Sequence, residues 1–327
     1  MVYYIIKRLI NIIPLLILIS IISYLIIQLP PGDYITSYIA QLEEHGDTVH
    51  EETAQKLRAR YGLDQPFYIQ YLKWIKGVLT GDFGYSFEWK KPVNQIIWNR
   101  LGFTLVLTLS STVFVWIVGF IIGFYSAAHQ YSIIDYIATF FGFIGLATPN
   151  FMLALVLMWI SYEYFGMSVG GLFSPEYLDA PWSMAKLIDL LKHLWIPVII
   201  TGTAGTAGLI RIFRANLLDE LEKPSVVTAR AKGVSERKLL FKYPVRIAMI
   251  PFIATVGWTL PRLISSATII SVVLSLPTTG PVLLRALQSQ DMYLAGSFVL
   301  LLSTLTVIGT LLSDILLAWV DPRIKYS

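Results

Sequence analysis

Apolar residues in this sequence are gathered into long stretches with little or no charge, separated by shorter polar segments. An α-helix needs about 20 apolar residues to cross the hydrocarbon core of a bilayer, which is roughly 30 Å thick. Six stretches approach or exceed that length, so the pattern predicts an all-α polytopic membrane protein with six transmembrane helices. The predicted spans are Leu9–Leu29, Leu101–Ala128, Ile133–Tyr162, Leu194–Ile210, Ile247–Leu276 and Leu294–Val320.

Prolines interrupt several of the predicted spans. Pro14 lies one turn into the first span, where a helix tolerates proline best. Pro149 divides the third span, and two interpretations stay open: a kink that frees carbonyl groups toward a transport pathway, or simple helix packing. The fifth span holds Pro251, Pro261 and the one basic residue deep in a span, Arg262.

The distribution of lysine and arginine predicts which segments face the cytoplasm. Residues 211–246, between spans four and five, carry nine of them, whereas the loop between spans five and six carries only Arg285. The segment 211–246 is therefore predicted to be cytoplasmic, and six spans then place both the N and the C terminus in the cytoplasm.

These boundaries divide the chain into four parts. The first helix is expected to be retained as an anchor, because no small-x-small cleavage site follows it. In the external region, a capping-box pattern at Thr48 predicts a helix that runs to Arg60, and Pro66 opens another. The predicted parts are an N-terminal anchor helix (1–29), an external region with short helices (30–100), a five-helix core that contains the cytoplasmic segment 211–246 (101–320) and a cytoplasmic tail (321–327).

The composition agrees with a membrane protein. Hydrophobic residues make up 55% of the chain and charged residues 14%, whereas soluble domains carry about 25% charged residues. An ordinary soluble enzyme, a disordered tail and a disulfide-stapled secreted domain are therefore excluded. The net charge of +4 is small, and orientation accounts for the basic residues without any contact to nucleic acid.

Residue constellations for catalysis or metal binding are missing from the sequence. It has no G-x-x-x-x-G-K-[ST] phosphate-binding loop, its four histidines lack metal-ligand spacing, and no nucleophile–base arrangement stands out. We therefore predict a chain that is not an enzyme and that binds no metal. Gly202, Gly205 and Gly208 lie in the fourth span and are interpreted as small residues that let helices pack closely.

An ion-coupled secondary carrier is a competing class of protein. Carriers driven by protons usually place acids or histidines in mid-membrane. Here Asp135 and Glu163 lie at the ends of predicted spans, so Asp314 is the one acid left that lies inside a predicted span. The scarcity of such groups argues against a carrier, and transport that persists without an ATPase partner would support one.

The most informative polar stretch lies inside the cytoplasmic segment. Pro224 and Ser225 can open a short helix, Gly233 can end it, and Ser235 can cap a second helix. Two short helices rich in small residues would form a knob that approaches a partner closely. Composition alone does not distinguish this knob from a solvated basic loop, and both interpretations stay open.

A family resemblance favours the knob. Thr228-Ala229-Arg230-Ala231-Lys232-Gly233, followed by Glu236-Arg237-Lys238, resembles the EAA-type coupling motif of bacterial ABC importer permeases, and is most similar to the dipeptide/oligopeptide/nickel permease family. Within it, the chain resembles the first permease type, which has a long external loop after span one. The stretches that agree in order are Lys7-Arg8-Leu9, Pro31-Gly32-Asp33, Tyr61-Gly62-Leu63-Asp64-Gln65-Pro66, Gly81-Asp82-Phe83-Gly84-Tyr85-Ser86, Thr148-Pro149-Asn150-Phe151, Leu276-Pro277 and Asp321-Pro322-Arg323-Ile324.

The resemblance implies a type I ABC importer permease fold and a set of partners. Two permeases, usually a heterodimer, form the pathway; two cytoplasmic P-loop ATPase subunits bind ATP and Mg; and an extracytoplasmic substrate-binding protein delivers cargo. This chain would bind no cofactor itself and would lie in the bacterial inner membrane. The residues to which the resemblance assigns ATPase coupling are Ser225, Val226, Val227, Thr228, Ala229, Arg230, Ala231, Lys232, Gly233, Val234 and Glu236.

Two departures from the family pattern bear on the details. Val227 stands where the general EAA pattern has glutamate, and Ser271 stands where family members often have an acid near the end of span five. The resemblance implies short peptides as cargo, whereas the lost acid favours a neutral cargo such as an oligosaccharide, which stays as the alternative.

A second set of residues is expected at the translocation pathway. An unpaired arginine in mid-bilayer costs at least about 2.5–3.5 kcal/mol, so Arg262 should face either the cavity or a structural partner, and both stay open. The expected pathway residues are Pro149, Asn150, Trp258, Arg262, Ser271 and Pro277.

Overall fold

The computed structural model describes residues 2–28, 35, 36, 39, 55, 56, 58, 59, 63–166 and 170–320, with side chains described for these residues except 2–9, 26–28, 256–262, 264, 265, 313 and 317–320. Most of the helix predicted from Thr48 to Arg60 and the whole predicted tail 321–327 lie outside the described residues.

Helices account for most of the described residues. A short antiparallel ladder joins strands β1 and β2, with Tyr85 opposite Pro92. The elements are α1 (Val2–Gln28), α2 (Phe67–Leu79), β1 (Tyr85–Ser86), β2 (Lys91–Pro92), α3 (Val93–Ala128), α4 (Ile133–Ala147), α5 (Asn150–Phe165), α6 (Met184–Leu221), α7 (Pro224–Ala231), α8 (Glu236–Lys242), α9 (Pro244–Ala254), α10 (Val256–Val273), α11 (Thr279–Gln288) and α12 (Met292–Val320).

Three described helices are long and apolar enough to cross a membrane unaided. They are α3, α6 and the part of α12 from Met292 to Leu316, and the bent pair α4 and α5 raises the number to four. The first predicted span corresponds to α1, whose qualifying apolar stretch, Ile10–Leu25, is shorter. The fifth predicted span is divided at Thr255 into α9 and α10.

The third predicted span is broken rather than kinked. Helices α4 and α5 meet at 109°. A residue before proline is pushed out of the α region by the proline ring, and Thr148 accordingly has φ −88° and ψ 122°. Pro149 then serves as the N-cap residue of α5, with an extended backbone. The sequence located the interruption at Pro149 but not its size.

Helix α6 is longer than the fourth predicted span. Ser183 caps its first turn, with its side chain accepting a hydrogen bond from Lys186 N at 3.2 Å. The helix runs on to Leu221, so residues 211–221 of the predicted cytoplasmic segment are helical. Pro224 begins the next helix, because proline fits the first turn but cannot continue a preceding one.

The chain divides into two compact units. The first consists mainly of Thr104–Pro277. Its aromatic core packs α3, α6 and α9 together, with Phe120, Phe213 and Phe252 in mutual ring contact. The buried members of this cluster are Val115, Ala127, Leu209, Phe213, Leu217, Val245, Ala248 and Phe252.

The second unit consists mainly of Ile6–Phe103 and Thr278–Val307. Trp74 of α2 stacks on Tyr24 of α1 and donates a hydrogen bond to Ser297 Oγ of α12 at 3.2 Å. Asp291 is fully buried and accepts hydrogen bonds from Ser86 Oγ at 2.5 Å and from Glu88 N at 3.2 Å. The region predicted to be external is thus anchored to the start of α12 by polar contacts within this unit.

Candidate functional site

The short helix predicted in the cytoplasmic segment is present as α7. Pro224 occupies its first position, and Thr228 Oγ1 donates back to Pro224 O at 2.7 Å. Gly233 follows its C-terminus with φ +76°, a left-handed conformation that glycine adopts without steric cost. Gly233 N donates to Arg230 O at 3.0 Å and Val234 N to Ala229 O at 3.3 Å, the two hydrogen bonds of a Schellman motif. The predicted stop at Gly233 is therefore confirmed.

A bidentate ion pair joins α7 to α8. Arg230 Nε donates to Glu236 Oε1 at 2.6 Å, and Arg230 Nη2 donates to Glu236 Oε2 at 3.1 Å. These hydrogen bonds raise the pKa of the Arg230 guanidinium and lower the pKa of the Glu236 carboxyl. Both side chains are solvent-exposed, so the pair links the two helices at the surface and contributes little to stability. Arg230 was expected to face a partner, and in this chain it is paired with Glu236.

Burial divides the segment into an anchor and an exposed face. Val226 is 1% exposed and Leu239 is fully buried, so each helix is held by one apolar side chain. Most other members of the predicted coupling set lie at the surface. The exposed members are Ser225, Val227, Thr228, Arg230, Ala231, Lys232, Gly233 and Glu236, with Ala229 and Val234 half-buried.

The knob, defined as residues 224–242, is firmly joined to the first unit. Phe241 of α8 stacks on Phe124 of α3, with ring centroids 5.3 Å apart. Leu217 at the end of α6 and Val245 at the start of α9 belong to the aromatic core. The knob therefore contacts α3 and is continuous along the chain with α6 and α9.

A cavity of about 250 Å³ lies within the first unit, between α5, α6 and the helices of the fifth predicted span. It is termed the polar cavity after the few polar groups in its otherwise mainly apolar lining. Asn150 and Ser266 contribute polar groups, and Arg211 also lines the cavity. The Thr201 side chain is buried in this lining, and its Oγ1 has no hydrogen-bond partner among the described residues. A buried hydroxyl without a partner is costly in an apolar surrounding, so this cavity is suited to a polar solute or to water.

The glycines of α6 serve two purposes. A Cβ on Gly202 would come within 2.8 Å of the Phe114 ring, so close packing is confirmed there. Among the described residues, no atom lies within 4 Å of a Cβ on Gly208, which lines the polar cavity. No described neighbour therefore supports the packing interpretation at Gly208. Its spacing from Thr201 and Arg211 along one helix face is the signal that could have revealed this role.

The predicted pathway residues are scattered. Asn150 lines the polar cavity. Ser271 is fully buried, and Pro277 is half-buried. The side chains of Trp258 and Arg262 lie outside the described residues.

Sequence analysis missed a buried ion pair between α4 and α6. Arg214 Nε donates to Asp135 Oδ1 and Arg214 Nη2 to Asp135 Oδ2, both at 2.8 Å. Asp135 N donates to the capping Ser132 Oγ at 3.2 Å, which fixes the acid in the first turn of α4. The Ser-x-x-Asp spacing signalled a helix start, but nothing local indicated the arginine partner.

No group of three or more His, Cys, Asp or Glu side chains that could hold a metal ion occurs among the residues described by the structure. His193 Nδ1 lies 2.8 Å from the backbone oxygen of Asp189. This contact gives the His193 ring a hydrogen-bond partner within its own helix.

Gly233→Ala should destabilise the chain by about 1–2 kcal/mol, since an L-residue in the left-handed region is strained. Gly208→Ala is the matched control: both positions have open space around the Cβ, but Gly208 lies in a helix, where alanine is favoured over glycine by about 1 kcal/mol. Thermal unfolding of the purified chain should therefore shift in opposite directions for the two variants. A shift in the same direction for both would contradict the role given to Gly233.

Comparison with known proteins places the whole chain beside transport permeases. Residues 119–326 match the family described as "Binding-protein-dependent transport system inner membrane component", and residues 1–108 match the corresponding N-terminal family. The chain is 36% identical to the oligopeptide transport system permease protein AppB of Bacillus subtilis, over 99% of each chain. It is 30% identical, over the full length of both chains, to the dipeptide transport system permease proteins DppB of Alkalihalophilus pseudofirmus and of Escherichia coli.

Proposed function

Because this chain belongs to the family of binding-protein-dependent transport system inner membrane components, we propose that it forms half of the translocation pathway of an ATP-driven peptide importer. The observation that carries the proposal is its similarity, from end to end, to permeases named for oligopeptide and dipeptide transport. The chain is a multi-pass component of the bacterial inner membrane.

The proposed topology has six spans, both termini in the cytoplasm and the division into residues 1–29, 30–100, 101–320 and 321–327. Contacts within the first unit support it, because segments assigned to one face meet each other. Arg214 and Asp135 belong to predicted cytoplasmic ends and are paired. Gly171 and Leu274 belong to predicted external ends, and Gly171 N donates to Leu274 O at 2.9 Å.

In the proposed mechanism, this chain supplies no chemistry. Two cytoplasmic ATPase subunits bind ATP and Mg, and one of them receives the knob in a surface groove. The exposed small side chains of α7 allow close approach, while Val226 and Leu239 hold the knob to the chain. Closure of the ATPases on ATP pulls the knob, and the attached α3, α6 and α9 move with it.

The polar cavity supports the proposed pathway. Its lining combines an amide, hydroxyl groups and small residues with larger apolar side chains and Arg211. The polar groups offer hydrogen bonds to a peptide backbone, and the apolar ones offer contacts to its side chains. A second permease, different in sequence, is expected to complete the pathway from the other side, and an external binding protein delivers the cargo.

Peptides are favoured over oligosaccharides as cargo. The oligosaccharide alternative rested on the replacement of an acid by Ser271. That side chain is fully buried, so it gives little support to an argument about contacts with cargo. The relatives cited above carry peptide transport in their names.

Reconstitution tests the proposal. The chain, its second permease, its ATPases and its binding protein are assembled in proteoliposomes, and uptake of a labelled pentapeptide and of a labelled trisaccharide is measured. We expect peptide uptake that requires ATP and the binding protein. Uptake of the trisaccharide but not of the peptide would contradict the assignment of peptides as cargo. Peptide uptake that persists without the ATPases would contradict the ATP-driven mechanism and favour a secondary carrier.

A further inference from the structure

A second cavity, of about 840 Å³, lies in the first unit at the face proposed to be external. Its walls are the turn 170–178, the first turns of α6 and Ser275. The volume falls within the range of about 300–1,000 Å³ that is typical of small-molecule sites. Neither the predicted pathway nor the predicted coupling set includes its lining residues.

Hydrogen bonds hold the walls of this external cavity in place. Ser174 N donates to Asp189 Oδ2 at 2.8 Å, and Ser174 Oγ donates to Asp189 Oδ1 at 2.7 Å. These bonds tie the turn to α6, while Gly171 N, donating to Leu274 O, ties it to the end of α10. Asp189 is 7% exposed, and both of its oxygens are engaged. A site with fixed walls binds without the entropy loss of ordering a loop.

Charges of both signs line the same cavity. Lys192 lies on the α6 wall and Glu176 on the turn, and both are exposed at the surface of the chain. Ser174 hydrogen-bonds both oxygens of Asp189 without neutralising its charge. Among the described residues, no hydrogen bond occupies the exposed Lys192 ammonium, so its donors are open to an incoming anion. His193 uses Nδ1 on the Asp189 carbonyl, which leaves Nε2 for the cavity.

We propose that this external cavity is a receiving site for short peptides, in which Lys192 binds the terminal carboxylate and Glu176 binds the terminal ammonium. The inference rests on the proposed function, because it assumes a zwitterionic cargo. A neutral sugar has no charge to pair with either group, whereas each charged end of a peptide forms an ion pair with a charge-assisted hydrogen bond there. Peptide released by the binding protein would dwell in this cavity before it enters the membrane pathway.

The absence of cysteine from the sequence allows a direct test. Ala185→Cys places a thiol on the cavity wall, and Met184→Cys places one on the adjacent, 71% exposed position outside the lining. The complete importer in proteoliposomes is given a pentapeptide that carries a bromoacetyl group, delivered by the binding protein. Alkylation of this chain is then followed by mass spectrometry.

We expect faster alkylation of Ala185→Cys than of Met184→Cys, with protection by excess unmodified peptide. Adding Lys192→Gln to Ala185→Cys should slow alkylation about tenfold, since a hydrogen bond to a charged group contributes that much to binding. An amidated peptide, which lacks the terminal carboxylate, should be insensitive to Lys192→Gln.

Two results would overturn the inference. One is equal alkylation of the two cysteine variants. The other is protection of Ala185→Cys from a small bromoacetyl reagent by the peptide-free binding protein, which would make the cavity a docking surface. Peptide uptake by the wild-type importer in the same vesicles distinguishes failure of this inference from failure of the proposed function. Normal uptake without selective alkylation would disprove only the receiving site. No uptake by the wild-type importer would disprove the proposed function.

Discussion

Arg214→Gln is expected to destabilise the folded chain by about 1–3 kcal/mol, since it leaves the buried Asp135 carboxylate without its charged partner. The Asp135 side chain is 4% exposed and that of Arg214 26%. The backbone N–H of Tyr131 also donates to Asp135 Oδ2, at 3.0 Å, but a single neutral donor does not replace a bidentate guanidinium. Thermal unfolding of the purified chain in detergent, followed by tryptophan fluorescence, measures the loss.

Arg211→Gln is the matched control, because Arg211 lies one turn earlier on the same helix and is exposed. Its effect should stay within about 0.5 kcal/mol, as for most surface substitutions. The double variant Asp135→Asn with Arg214→Gln should be less destabilised than the sum of the two single variants, since no charge is then left unpaired. Equal unfolding temperatures for Arg214→Gln and Arg211→Gln would show that the pair contributes nothing.

In the proposed mechanism, the pair also bears on transport. It ties the start of α4 to the end of α6, only a few residues before the knob. Without it, movement of the knob would reach α4 less directly. The double variant Asp135→Asn with Arg214→Gln should therefore lose part of its peptide uptake even where its unfolding temperature is close to that of the wild type.

Ala231→Trp is expected to abolish ATP-driven uptake while the chain still folds and inserts. Ala231 is exposed at the end of α7, where a small side chain permits close approach to a partner. A tryptophan there would prevent the knob from entering the proposed groove of the ATPase. The free energy of ATPase binding should fall by at least about 2 kcal/mol, as for central interface residues, which raises the Kd roughly thirtyfold. Co-purification of the ATPases and peptide uptake are the two measurements.

Leu79→Trp provides the control, because Leu79 is 82% exposed in the region proposed to be external. It should leave both ATPase binding and uptake unchanged. If Ala231→Trp retained its ATPases and full uptake, residues 224–242 would not be the coupling surface, even though the chain could still be a permease.

Local features of the fold could be predicted from the sequence. The helix from Pro224 and its stop at Gly233 depend on capping and on a left-handed glycine, which involve residues a few positions apart. Helix α3 ends at the predicted Ala128, and the interruption at Pro149 follows from the proline ring alone. The length of α6 was missed, because charged residues beyond Ile210 were counted as loop although they continue the helix.

The partners of individual side chains could not be predicted in this way. Asp135 and Arg214 lie 79 positions apart, and no periodicity relates them. Gly202 and Gly208 look alike in the sequence, yet one contacts a phenylalanine ring and the other lines a cavity.

The sequence by itself determined that this protein is a helical membrane permease and predicted a short cytoplasmic coupling helix, because apolar length, charge bias, caps and motif order are properties of neighbouring residues. Only the tertiary structure decided that α4 and α5 diverge by 109°, that Ser174 satisfies Asp189 beside Lys192, and that Thr201 faces a polar cavity. These features depend on how distant helices pack against one another, and packing is fixed by the complementarity of whole surfaces rather than by any local pattern.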